Sequence, residues 1–203
     1  MILKGNDDLS HVYIIKKFDQ AILIDPSHSL SLIQQALNGY QLKAILLTHG
    51  HIDHTALIHE FKVPIYMHKQ DYDLMFNDDQ NGSKDIKLKR TFEKNNLDIH
   101  FVEDKDSIAF LDESIKVIHT PGHTKGGLCF LYRNMLYTGD TLFKGSVGRT
   151  DLIGGSTALL NKSIKKLFME LPGLTKILPG HDEPTTLNQE KKDNDYVKKV
   201  LSK

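Results

Sequence analysis

The chain has 203 residues, 39% hydrophobic and 26% charged, which is the make-up of an ordinary folded domain able to bury a core without staples. Its 26 Lys plus Arg balance 26 Asp plus Glu, so no global positive field draws in nucleic acid, and the lone cysteine, Cys129, excludes an intramolecular disulfide. No stretch approaches the ~20 apolar residues of a membrane helix and the N-terminus has no leader pattern, so the expectation is one domain spanning 1–203, cytoplasmic, with neither membrane nor nucleic acid as partner.

In chain order, β-rich runs come first: "HVYIIKK" (11–17), "QAILID" (20–25) and "KAILLTH" (43–49). Between the second and third, Leu30, Ile33 and Leu37 recur at helical spacing and Gly39 is a stop signal, which makes a strand–helix–strand unit. A short helix is expected to begin near His54, followed by a strand "VPIYMHK" (63–69). Residues 77–96 are polar and without period, which predicts a mobile surface excursion with some helix. From 98 to 138 the chain is β-rich again, in "DIHFV", "SIAFL", "SIKVIHT", "GLCFLYR" and "MLYTG". Leu160, Ile164 and Leu167 form one stripe of a helix over 157–170, stopped by "LPG". A last strand, "KILPG", precedes a lysine-rich helical tail from 188. Two β-rich halves, each with helices, predict stacked sheets covered by helices, a four-layer α/β arrangement.

Histidine and aspartate gather just beyond these strands. "THGHIDH" (48–54) follows the third run and holds His49, His51, Asp53 and His54. His123 lies in "TPGHTKGG", Asp140 in "YTGDTLF" and His181 in "LPGHDEP", each beside glycine, which admits the close approach a crowded site needs. Open α/β sheets commonly carry ligand sites past strand carboxyl ends. Five imidazoles and two carboxylates are too many for one tetrahedral ion and suit two. Nitrogen and oxygen donors favour zinc, iron or manganese, and the lack of thiolates argues against a structural zinc site.

"THGHIDH" resembles the T-H-x-H-x-D-H signature of the metallo-β-lactamase fold superfamily, and the later His, Asp and His follow in the family's order. The resemblance spans most of the chain and implies a four-layer αβ/βα sandwich. It implies that His49, His51 and His123 bind one metal ion, that Asp53, His54 and His181 bind a second, and that Asp140 bridges them. "TGDTLFKGSVGRTDLIGGS" (138–156) and "PGHDEPTTLNQEKKDN" (179–194) are similar to loops of the small glyoxalase II-like hydrolases. Full-length hydroxyacylglutathione hydrolases carry a further C-terminal helical domain that supplies much of the glutathione site. The expectation is that this chain lacks that domain, which leaves the thiol carrier open.

The resemblance implies a hydrolase that uses two divalent metal ions, zinc foremost, to cleave a small S-acyl thioester, with Asp53 orienting the attacking water. Two readings stay beside it. "GRTD" is shared with persulfide dioxygenases, which hold one iron on this fold, and a nuclease is the other, disfavoured by the balanced charge. Arg149 and Lys144, in the loop after Asp140, are candidates to hold a substrate carboxylate. His119 is expected to support a ligand or to pack, and Cys129 and Tyr137 to pack in their strands. His11, His28, His59, His68 and His100 show no partner pattern, and the tail lysines 191, 192, 198 and 199 read as a solvated helix face. Oligomeric state leaves no trace in the sequence.

Overall fold

The computed structural model describes residues 1–6 and 8–202. It resolves into two compact units, residues 1–101 and the chain from Val102 onward, each built on a six-stranded sheet whose strand order follows the sequence.

In the first unit β1 (Ile2–Leu3), β2 (Val12–Lys17) and β3 (Gln20–Ile24) pair antiparallel. The chain then crosses through α1 (Leu30–Ala36) to β4 (Gln41–Leu46), which lies parallel to β3. Gly39 takes φ 79°, the left-handed turn expected past the end of a helix. Two further parallel strands follow, β5 (Ile65–Met67) and β6 (Ile99–Phe101), with α2 (Ile52–Thr55) and α3 (Tyr72–Met75) in the connections. Leu23, Ile33, Ile45, Ile52, Met67 and Phe92 belong to one buried cluster. Of the helical stripe in α1, Ile33 alone is fully buried; Leu30 and Leu37 are half-buried.

The segment 77–96 departs from expectation. It holds no α-helix, only a 3-10 turn at Lys94–Asn96, and it is pinned to the unit. Phe92 is buried against Phe76 and His59, and Asn81, fully buried, donates from Nδ2 to Met75 O while its own carbonyl accepts the Ile52 N–H. One buried aromatic ring is worth about 1.5–3 kcal/mol, enough to anchor an irregular segment.

In the second unit β7 (Ser107–Phe110), β8 (Glu113–His119), β9 (Leu128–Tyr132) and β10 (Met135–Gly139) form an antiparallel meander. α4 (Thr157–Glu170) carries the chain to β11 (Lys176–Pro179), parallel to β10, and β12 (Thr185–Thr186) closes the edge. The expected bounds of α4 are met: Ser156 caps Leu159 N–H, and Leu160, Ile164 and Leu167 are fully buried. The tail is two helices, α5 (Leu187–Asp193) and α6 (Asp195–Leu201), broken at Asn194, whose Oδ1 accepts from Tyr196 and Val197 N–H. Lysines 191, 192, 198 and 199 are exposed, as expected, while Leu187, Val197 and Val200 join the core. Cys129 is fully buried and burial pushes its thiol up to about 11, so it packs as a small apolar group. Among the described residues no helix is long and apolar enough to cross a membrane.

Candidate metal centre

Both units place their candidate ligands just past strand ends. In the first, β4 runs out through Thr48 into the turn that holds His49 and His51, and α2 starts at once with Asp53 and His54 on it. His49, His51 and His54 are 3%, 4% and 0% exposed. His49 Nε2 stands 3.0 Å from His51 Nδ1, and the His49 ring centroid lies 4.7 Å from that of His51 and 4.1 Å from that of His54. Two nitrogens bound at ~2.0–2.1 Å to one tetrahedral ion sit about 3.3–3.4 Å apart, so the first pair is close to the edge of a coordination polyhedron. His54 Nε2 lies 3.5 Å from Asp53 Oδ2, a second such edge.

What holds this turn is a buried carboxyl that the sequence pattern did not flag. Asp25, at the end of β3 with φ 50°, is 2% exposed. Its Oδ1 accepts the Thr48 N–H at 2.8 Å, and its Oδ2 meets the Thr48 hydroxyl at 2.7 Å and His54 Nδ1 at 2.8 Å. A hydrogen bond at Nδ1 places the His54 proton there and turns the Nε2 lone pair to the other side, the support that metal-bound imidazoles receive. Asp71, also buried, accepts the Gly50 N–H at 3.1 Å and ties the turn to the segment before α3.

In the second unit one ligand comes from each of three loops. His123 follows β8, Asp140 follows β10 and His181 follows β11. Gly180 N–H donates to Gly139 O at 2.9 Å and holds the last two loops side by side. The Asp140 carboxyl stands between two imidazoles, Oδ2 at 3.5 Å from His123 Nε2 and Oδ1 at 3.9 Å from His181 Nε2. A carboxyl with one oxygen toward each neighbour has the shape of a bridging ligand. His123 Nδ1 donates to Arg149 O at 2.8 Å, which leaves Nε2 as its acceptor nitrogen. Gly148 makes that possible: a Cβ there would stand 1.8 Å from Asp140 O and 3.2 Å from His123 Cβ. Gly122, one residue before His123, likewise passes against α4, where a Cβ would meet Leu160 N at 2.4 Å.

The donor set fits divalent ions: the buried imidazoles of His54 and His123, each with Nδ1 held by a support and Nε2 at 3.5 Å from a carboxyl oxygen, are a borderline-to-hard N/O environment suited to zinc or iron. Of the remaining sequence candidates, His119 does support a loop, its Nε2 lying 3.0 Å from Lys125 O in the segment that carries His123. Arg149 reaches the site through its backbone; its guanidinium is 60% exposed and pairs doubly with Asp151, holding that carboxyl down at about 2. Lys144 is exposed. Tyr137 is buried in β10 and burial raises its hydroxyl pKa.

Residues 5–181 match the Metallo-beta-lactamase superfamily. An uncharacterized protein of Aquifex aeolicus (strain VF5) is 38% identical over 194 residues, covering 92% of this chain and 90% of that one. Hydroxyacylglutathione hydrolase GloC of Haemophilus influenzae is 31% identical over 191 residues, 87% of each. The crystal structure of the BLEG-1 B3 metallo-beta-lactamase is similar at a TM-score of 0.88 and 29% identity, covering 97% of this chain and 98% of that one. The sheet orders, the ligand-bearing loops and these likenesses agree: the chain belongs to the metallo-beta-lactamase superfamily and has its αβ/βα fold, two mixed sheets with flanking helices.

Proposed function

We propose that this protein is a binuclear metal-dependent hydrolase of small S-acyl thioesters. The observation that carries the metal half is the pair of ligand supports: Asp25 on His54 Nδ1 and the Arg149 carbonyl on His123 Nδ1, each turning an Nε2 toward a carboxyl oxygen. In this reading His49, His51 and His123 form one ligand group, and Asp53, His54, Asp140 and His181 the other. The Asp140 carboxyl has an oxygen for each. Zinc is the first candidate, iron the second.

A divalent pair supplies, when bound, an acidified water and Lewis-acid stabilisation of developing negative charge. Asp53, 19% exposed where His54 is buried, keeps one face toward solvent; its carboxyl would accept a hydrogen bond from the attacking water and orient the lone pair toward the acyl carbon. Lys144 and Arg149 are the cations we assign to a substrate carboxyl, Arg149 by exchanging Asp151 for it. The leaving group argues for a thioester. A thiolate, with a conjugate acid pKa near ~8.5, departs without a proton, whereas an amide nitrogen needs one delivered. The likeness to GloC points the same way.

The test is elemental analysis of freshly purified protein together with S-D-lactoylglutathione turnover by wild type and Asp53→Ala. The expected result is two metal ions per chain, with turnover in the variant reduced by about a thousandfold or more. One iron per chain with oxygen uptake on a thiol persulfide would replace the reading with a dioxygenase. Unchanged turnover in Asp53→Ala would remove that residue from the mechanism.

A further inference from the structure

Two polar side chains of the C-terminal helices are buried where apolar ones would pack without desolvation cost, and both face the loop that follows Asp140. Glu190 of α5 is 1% exposed. Its Oε2 accepts the Gly145 N–H at 2.8 Å and Asn194 Nδ2 at 3.0 Å, and its Oε1 accepts the Thr185 hydroxyl at 2.7 Å. Asn194, fully buried at the break between α5 and α6, also donates from Nδ2 to Ser146 O at 3.1 Å. A buried carboxyl destabilises a fold unless its oxygens are answered by donors, and here one answer comes from the loop, one from Asn194 and one from β12.

That loop leads to the site. Gly145 takes φ 79°, Gly148 passes against Asp140 O, and Arg149 O receives the His123 Nδ1 proton. Residues 145–150, with Thr157 and Tyr196, line a recess of about 400 Å³. Thr150 Oγ1 lies 2.7 Å from Thr157 Oγ1, so the loop is fastened to α4 at one end and to α5 at the other.

We propose that Glu190 and Asn194 are positioning residues that hold 145–150 as the wall of the substrate recess, so that the α5–α6 pair sets substrate affinity from outside the ligand set. The kinetic half of this proposal rests on the hydrolase reading; the structural half does not. Glu190→Ala removes all three bonds. Glu190→Gln keeps one carbonyl oxygen for Gly145 N–H, and the Thr185 hydroxyl can reverse to accept from the new amide.

The experiment compares amide hydrogen exchange, metal affinity and S-D-lactoylglutathione kinetics in metallated wild type, Glu190→Ala and Glu190→Gln. In the alanine variant, exchange at Gly145 and through residue 150 should quicken by about tenfold or more while α4 and β11 stay protected. KM should rise about tenfold with kcat within about twofold at saturating metal, metal affinity should fall by about tenfold because Arg149 O under His123 lies in the loosened segment, and the glutamine variant should recover most of these effects. Unaltered loop exchange in Glu190→Ala, faster exchange spread evenly over α4 and β11, or no recovery in Glu190→Gln would each overturn the proposal. A wild type that leaves the thioester intact would sink the hydrolase reading instead, and the exchange pattern would still decide whether the clamp exists.

Discussion

The first unit crowds four candidate ligands into one turn and the start of α2, and the second spreads three over loops after β8, β10 and β11. In the turn, imidazoles two and five positions apart constrain one another, and the support comes from side chains: Asp25, Thr48 and Asp71. In the three loops the strands do the positioning, and the support comes from backbone: the Arg149 carbonyl and the Gly180–Gly139 bond. The ligand turn of the first unit is therefore sensitive to which side chain stands outside the motif, the ligand loops of the second to how much volume the backbone is given.

The sharpest test of the first half is Asp25→Ala. The variant releases His54 Nδ1 and takes both acceptors from Thr48, whose N–H is buried. Metal affinity should fall by about 10–100-fold, as for other losses of an outer partner to a ligating histidine. Unfolding stability should drop by about 1–3 kcal/mol for the stranded donor. A competitive chelator titration and a urea midpoint read the two effects separately. Wild-type affinity in the variant would show that the turn holds His54 by ring packing alone.

For the second half the test is volume. Gly148→Ala forces a methyl onto Asp140 O and toward His123, so it should lose about 1–3 kcal/mol by overpacking and disturb the Arg149 carbonyl under His123. Gly39→Ala in the first unit is its control: nothing lies within 4 Å, so only the left-handed φ of 79° is penalised, by about 1 kcal/mol, and the metal site is untouched. Thermal unfolding with metal analysis separates them. Equal losses with equal metal content would mean that Gly148 serves conformation and not close approach.

The same division explains what sequence alone could show. Apolar runs and the 3.6-residue stripe of Leu160, Ile164 and Leu167 mark strands and α4 because packing against a core imposes those periods. The cluster at 49–54 is legible because its spacing is local. Asp25 is not: a lone aspartate after an apolar run looks like any strand end, and its partner His54 lies 29 positions on. The Arg149 carbonyl leaves no mark at all, since every residue has one. Phe92 is a single ring in a polar stretch, so nothing periodic betrays that it anchors 77–96. Asn194 breaks the tail by capping α6 and by gripping Ser146, and the second contact exists only in three dimensions.

The smallest effect expected lies behind His119, where the second unit borrows one side-chain support of the kind the first relies on. Asp104 Oδ1 accepts the His119 N–H at 2.8 Å and a bond from Lys166 Nζ, which also lies 3.3 Å from His119 O. Burial pushes the Asp104 carboxyl up, but the Lys166 ammonium and the His119 amide more than offset it, and the net displacement is below the ordinary aspartate value. A carboxyl depressed in the folded state contributes its stability above the unfolded pKa, about 3.9, and loses it as pH falls through the folded value. Lys166→Met should therefore cost about 0.5–1 kcal/mol near neutral pH, a partly exposed pair being screened by solvent. The gap to wild type should narrow in acid, once Asp104 is protonated in both chains. Urea midpoints at neutral pH and near pH ~3 read this directly, and metal loss in acid affects both proteins alike. A gap of the same size at both pH values would mean that Lys166 acts through the packing of its aliphatic stem on α4, and that the second unit relies on backbone support alone.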